Sequence, residues 1–297
     1  MQAFVLLLSI ISFELYNVDG RKLNVHGFTQ VYYRYRDRDD NTLSLRRTRL
    51  IFKVKEGKSL EFKMQMDFLK NPTLLDAYMN YKSRNFMIKI GRFLPDFTFY
   101  MPHSSTALDF VDYPLIAKKY GMWRQVGIEA SYFFRDCVYV KSGVFNGPQN
   151  SYKDVDGMKD MLFKLGYRRN WIKAGLYTYE RKETSKREKL AGLYLDLRPK
   201  RLIFTVEPLF VMSDSSTIKR NDLGYYVQAG VYILKGLKSL LRFEDLYVDV
   251  DSNDLPERRI WAGLVKEFSH FKLYVNYIKG LSGDNTKDII LQLQCKW

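Results

Sequence analysis

The sequence predicts an all-β fold, a transmembrane antiparallel β-barrel of sixteen strands. Three observations predict it. Apolar and polar residues alternate with a period of two along most of the 297 residues, the signature of a pleated strand with one apolar face. Short turns alternate with longer polar connections, as expected when one rim of a barrel faces each side of a membrane. Aromatic residues, with 22 Tyr and 20 Phe, make up 15% of the chain although its mean hydropathy is negative, which suits interfacial girdles around a polar interior. In water so many one-faced strands would need a second layer, and no helical pattern offers one. Lipid can cover the apolar face instead, and closure satisfies the backbone.

The chain opens with an apolar run, Ala3 to Phe13, of the length of a signal-peptide core. It lacks the preceding Lys or Arg of such signals; the alternative is a short buried helix. Residues 1–20 are expected to be a signal peptide and residues 21–297 a single barrel domain. Strands are predicted at 22–36, 45–55, 59–69, 74–82, 85–93, 123–132, 137–146, 160–168, 171–180, 188–198, 201–212, 222–234, 239–249, 258–266, 270–279 and 287–297. In the first, Leu23, Val25, Val31, Tyr33 and Tyr35 oppose Lys22, Asn24, His26, Gln30, Arg34 and Arg36. In the third, Leu60, Phe62, Met64, Met66 and Phe68 oppose Glu61, Lys63, Gln65 and Asp67. In the last, Ile289, Leu291, Leu293, Cys295 and Trp297 oppose Asp288, Gln292, Gln294 and Lys296. The connections at 56–58, 82–84, 135–136, 169–170, 199–200, 235–238 and 268–269 are short. Those at 37–42, 94–121, 146–159, 181–187, 213–221, 251–257 and 280–286 are longer, and only 70–73 is brief on that side. An even strand count puts both termini on the short-turn rim, with Trp297 beside the first strand.

The net charge of +15 admits nucleic acid, an anionic surface or an anion pathway as partner. The basic residues are spread along the strands, whereas a nucleic-acid module concentrates them in one patch. A lysine or arginine facing lipid at mid-bilayer costs about 2–4 kcal/mol, so strand charges belong to the lumen or a rim. On the inward parity, basic groups outnumber acids about two to one, a bias that enriches anions. The candidate pore-lining set is Arg34, Arg36, Arg47, Arg49, Lys53, Lys63, Lys89, Lys141 and Arg242. Its expected focus is Arg46, Arg47 and Arg49 facing Arg34 and Arg36 across the first hairpin, with Asp67 and Asp76 as inward carboxylates. The competing readings are that the wall bases pair with inward acids and merely keep the interior wet, and that the arginine cluster is an exposed basic rim.

The connection 94–121 holds Phe97, Phe99, Tyr100, Met101, Leu108, Phe110, Tyr113, Leu115 and Ile116, too many apolar groups for a solvated loop. It is expected to fold into the barrel; contact with another subunit and a membrane-surface helix are the alternatives. Chemistry has little to work with. His26, His103 and His270 form no metal-spaced pair, the two cysteines, Cys137 and Cys295, stand far apart, and His103 beside Ser104 and Ser105 is a poor dyad because neighbours on a loop seldom align. No catalytic residue, metal or cofactor is expected.

Several segments resemble the phosphate-selective porin O/P family. Leu45-Arg46-Arg47-Thr48-Arg49-Leu50 is similar to its arginine-rich second strand, and Leu75-Asp76-Ala77-Tyr78-Met79-Asn80-Tyr81 to its Asp-Ala-Tyr strand. Gly91-Arg92-Phe93 with Pro95 resembles the start of its long third loop. Gln125-Val126-Gly127, Gly143-Val144-Phe145-Asn146-Gly147 and the closing Leu291-Gln292-Leu293-Gln294 follow in the family's order. The resemblance implies a bacterial outer-membrane barrel of sixteen strands, a homotrimer, and passive diffusion of anions, phosphate among them, or other small solutes. The reading from another class is a non-conducting barrel acting as adhesin, scaffold or rim enzyme.

Overall fold

The computed structural model describes residues 13–18, 21–37, 41–71, 73–147, 152–154, 156–216, 219–250, 252, 254–282 and 286–297. Most of the expected signal segment, and the tips of several outer connections, lie outside the described residues. The sixteen barrel strands are β2 (Arg21–Arg36), β3 (Thr42–Glu56), β4 (Leu60–Asp67), β5 (Leu74–Ser83), β6 (Phe86–Phe93), β7 (Gln125–Phe134), β8 (Val138–Phe145), β9 (Asp160–Arg169), β10 (Ile172–Glu183), β11 (Lys186–Leu197), β12 (Leu202–Ser215), β13 (Lys219–Leu234), β14 (Leu237–Tyr247), β15 (Glu257–Glu267), β16 (Phe271–Gly280) and β17 (Lys287–Lys296). Each predicted strand is present, with ends shifted by three residues or fewer. Every neighbour pair is antiparallel, and β17 pairs with β2 to close the ring, from Asp288 opposite Arg36 to Lys296 opposite Phe28. The Trp297 amide donates to the Gly27 carbonyl (3.0 Å) and the Gly27 amide to the Trp297 carbonyl (2.6 Å).

One further strand was not expected. β1 (Phe13–Val18) forms a hairpin with the start of β2, Phe13 opposite Val25 and Val18 opposite Arg21. Pairing with β17 reaches only to Phe28, so β1 takes the β2 backbone groups that closure leaves unpaired, as an uncovered edge requires. The short turns close through left-handed residues, Gly57 (φ 60) and Gly236 (φ 72) among them.

The connection between β6 and β7 folds into the barrel. Its Phe97, Phe99, Tyr100, Met101, Leu108, Phe110, Val111, Ile116 and Met122 are at most 4% exposed, and it contains one short helix, α1 (Leu115–Tyr120). It crosses to the far wall and is tied there strand by strand. The Phe99 amide donates to Glu207 on β12 (2.7 Å). Asp109 accepts from Arg198 just after β11 (2.8 Å) and Lys238 on β14 (2.5 Å). The Leu108 carbonyl accepts from Lys272 (3.2 Å) and Tyr274 (3.0 Å) on β16. The Val111 amide donates to Asn276 (2.9 Å), and Tyr120 donates to Asp222 on β13 (2.6 Å). Edge-on ring contacts join Phe97 to Tyr177 at 5.0 Å and Tyr179 at 5.2 Å. This buried aromatic and aliphatic mass fills the half of the lumen bounded by β9–β16.

Two wall glycines make room for it. A Cβ at Gly263 would stand 2.8 Å from the Phe110 ring, and one at Gly224 would stand 2.5 Å from Ile116 Cγ2. Gly263→Ala should therefore destabilise the protein by about 1–3 kcal/mol through overpacking, read as a lower melting temperature in detergent. Adding Phe110→Ala should make the two effects less than additive, since they share one contact.

Candidate functional site: a basic channel beside the inserted loop

The inserted loop leaves a cavity of about 790 Å³ against the opposite wall, β2–β8. It extends from His270, Lys296 and Trp297 at the short-turn rim to Lys70 and Asn71 of the brief outer connection. The β strands contribute Arg47, Arg49, Lys53, Lys63, Lys89, Lys141 and Lys296 to its lining, and connections contribute Lys70 and Arg124. Against these nine bases stand two lining acids, Asp76 and Asp96.

Local backbone detail raises the charge density. The β2–β3 register runs Gln30 opposite Arg47, then Val31 opposite Leu45, so Arg46 is the extra residue of a β-bulge. A bulge resets the alternation, and Arg46 faces the lumen beside Arg47: it donates to the Val111 carbonyl (2.7 Å) and pairs with Asp112 (3.1 Å). Arg49 is held by the fully buried Asp67 (2.9 Å) and reaches Ser105 of the loop (3.4 Å). Asp76 receives Arg124 (2.6 Å) and Lys63 (2.7 Å). Asp96, at the start of the loop, bonds Lys141 and Lys164 (the latter at 2.8 Å). Among the described residues, Arg47, Lys53 and Lys70 form no ion pair; Arg47 donates to neutral Gln30 (2.8 Å). Partial burial, then the fields of Arg47 and Arg49, push the Lys70 ammonium below its ordinary pKa.

Of the nine residues proposed from sequence, Arg47, Arg49, Lys53, Lys63, Lys89 and Lys141 line this one cavity. Arg34 and Arg36 do not. They pair with Asp288 on β17 and line a separate cavity of about 430 Å³ toward the outer rim. The expected juxtaposition of Arg34 and Arg36 with Arg47 and Arg49 is corrected by register: Arg34 lies opposite Thr42, and Arg47 opposite Gln30, four residues or about 13 Å along the strand. Arg242 is corrected too. It is 2% exposed, lies 4.5 Å from both the Phe110 and Trp261 rings and pairs with Glu244 at 2.8 Å. The inserted loop has covered it. Sequence reasoning missed Lys70, which sits in a connection where parity gives no signal, and Arg124, which falls inside the strand predicted at 123–132 but precedes β7 and so lies outside its alternation.

The other chemistry considered from sequence finds no support in the geometry. The His103 ring packs on Phe99 (4.9 Å), Ser104 bonds Thr106 (3.0 Å) and Ser105 accepts from Arg49, with no His103–serine hydrogen bond among the described residues. Nor does any group of three His, Cys, Asp or Glu among them suit a metal.

A closed sixteen-strand membrane barrel with a charged lumen and an inserted loop defines an outer-membrane porin. Residues 20–161, from β2 to the start of β9, match the model of the family phosphate-selective porin O and P, and this is the family that the chain resembles. Solved outer-membrane protein structures superpose over nearly the whole chain. An OmpT loop-L8 deletion mutant of Vibrio cholerae is 12% identical with a TM-score of 0.73, covering 94% of this chain and 100% of its own. DcaP, an outer membrane channel of Acinetobacter baumannii, is 15% identical with a TM-score of 0.71, covering 97% and 99%. The anion-selective porin from Comamonas acidovorans is 10% identical with a TM-score of 0.71, covering 93% and 100%. No curated protein matches the sequence. The protein is a porin of the bacterial outer membrane.

Removing one partner of a buried ion pair strands the other charge. Asp96→Asn would leave Lys164, 2% exposed, without its carboxylate. Stability should fall by about 3–5 kcal/mol, measured as a shift in denaturant midpoint; an unchanged midpoint would mean that the loop is not anchored there.

Proposed function

We propose that the protein is a passive, anion-preferring channel whose conduit is the basic cavity between β2–β8 and the inserted loop. The observation that carries this is the lining, nine bases against two acids, with Arg47, Lys53 and Lys70 in no ion pair among the described residues. Low-dielectric walls focus such a field, concentrating anions and repelling cations. Transport follows the solute gradient without covalent chemistry. The family resemblance supports phosphate as a cargo, and the charge pattern supports anions as a class. A homotrimer, the assembly the family implies and in which OmpT of Vibrio cholerae has been solved, fits the low wall at β4–β9, strands of 8 to 10 residues against 16 in β2 and β13. Exposed Leu43, Leu45, Phe68 and Leu69 stand near that wall.

Purified protein in a planar bilayer under a salt gradient should give a reversal potential showing anions crossing faster than potassium. Arg47→Glu with Lys53→Glu should move it toward cation preference, most strongly at low salt, where the field reaches beyond about 10 Å. Arg49 is left in place because a glutamate there would face buried Asp67. A cation-selective wild type would overturn the anion reading. A folded protein that conducts nothing would select the adhesin, scaffold or rim-enzyme reading, for which the filled β9–β16 half of the lumen is the supporting feature.

A further inference from the structure

The bases of the conduit do not stand on a polar wall. Lys63 Nζ lies 5.6 Å from the centre of the Tyr78 ring, and Lys89 Nζ lies 5.4 Å from Tyr78 and 4.8 Å from Phe93. To the same cavity the loop presents Trp123, edge-on to Tyr113 at 6.3 Å, and Leu94. Tyr78, Leu94 and Trp123 are each only partly buried, one side packed on the core beneath the loop and the other lining the cavity. Arg124, adjacent in sequence to Trp123, reaches the Asp76 carboxylate that also holds Lys63. Tyr78, Leu94 and Trp123 thus line the same cavity as Lys63, Lys89 and Arg124.

An inorganic anion uses only half of this lining. Chloride or phosphate is attracted by the bases, yet it gains nothing from Leu94 or from the ring faces of Tyr78 and Trp123, which cannot replace its hydration. A solute with a carboxylate at one end and a flat apolar ring at the other uses both kinds of group. Its charge meets Lys63, Lys89 or Arg124, while its ring leaves water against Tyr78 and Trp123.

We propose that the conduit carries a binding site for aromatic carboxylates, formed by Tyr78 and Trp123 with the neighbouring Lys63, Lys89 and Arg124. The inference rests on the anion-channel reading and deepens it.

Benzoate, acetate and inorganic phosphate are added in turn to the protein conducting potassium chloride in a planar bilayer, and block of the chloride current is titrated. Benzoate should half-block at a concentration roughly tenfold below acetate and phosphate, the gain from removing part of one ring face from water. Tyr78→Ser, and independently Trp123→Ser, should erase the benzoate advantage while leaving acetate block and the salt-gradient reversal potential unchanged. Two variants on different elements guard against misfolding of either. An anion-selective channel in which benzoate blocks no better than acetate overturns the aromatic site and leaves the anion reading standing. Benzoate advantage retained in both folded variants also overturns the site. A cation-selective wild type overturns the anion reading and the site with it.

Discussion

A peptide group in hydrocarbon has no water to bond, so every backbone donor and acceptor at membrane depth must find a protein partner. That constraint is met here by one closed ladder, and the seam between β17 and β2 completes it. Once the ring is closed, each strand has a lipid side and a lumen side, and the two-residue alternation assigns every side chain to one of them. The outward set is Leu, Ile, Val, Phe and Tyr; the inward set holds the arginines, lysines and carboxylates. The interior charge that defines the conduit is therefore a consequence of closure. The same need accounts for β1, which pairs the length of β2 that β17 does not reach.

The inserted loop divides that interior unequally. On the β9–β16 side, basic wall residues are spent on holding it. Lys164 meets Asp96, Arg198 and Lys238 meet Asp109, Lys272 meets the Leu108 carbonyl, and Arg242 is stacked between two rings. On the β2–β8 side the bases outnumber the acids, and several have no acidic partner. The excess of positive charge around the ring thus becomes a one-sided field along the conduit. A residue's place relative to the loop decides whether its charge is structural or meets the solute.

How much was legible in the sequence follows from what each signal measures. The strand pattern, the short-long rhythm of connections and the burial of 94–121 could be read directly, because period and apolar content are local properties. The role of Lys53 or Lys89 as lining residues was legible from parity alone. Arg46 was not, since a single bulge reverses parity and its position depends on pairing between β2 and β3. Lys70 was not, because a connection has no period to indicate where its side chains point, and Arg124 was not, because the strand expected from residue 123 begins only at Gln125.

The sequence by itself determined the barrel, its sixteen strands, the face that side chains take along the regular stretches of strand and the excess of inward positive charge. These follow from alternation and from the backbone's need for partners, which act residue by residue. Only the tertiary structure decided which of those charges stay open to the lumen. Arg34 and Arg47 have the same parity and the same guanidinium, yet one is neutralised by Asp288 across the seam and the other lines the cavity and bonds neutral Gln30. Arg242, inward by parity like both, is sealed beneath Phe110. The difference lies in strand register and in the path of a loop across the barrel, contacts between residues 65 to 254 positions apart, which no local pattern records.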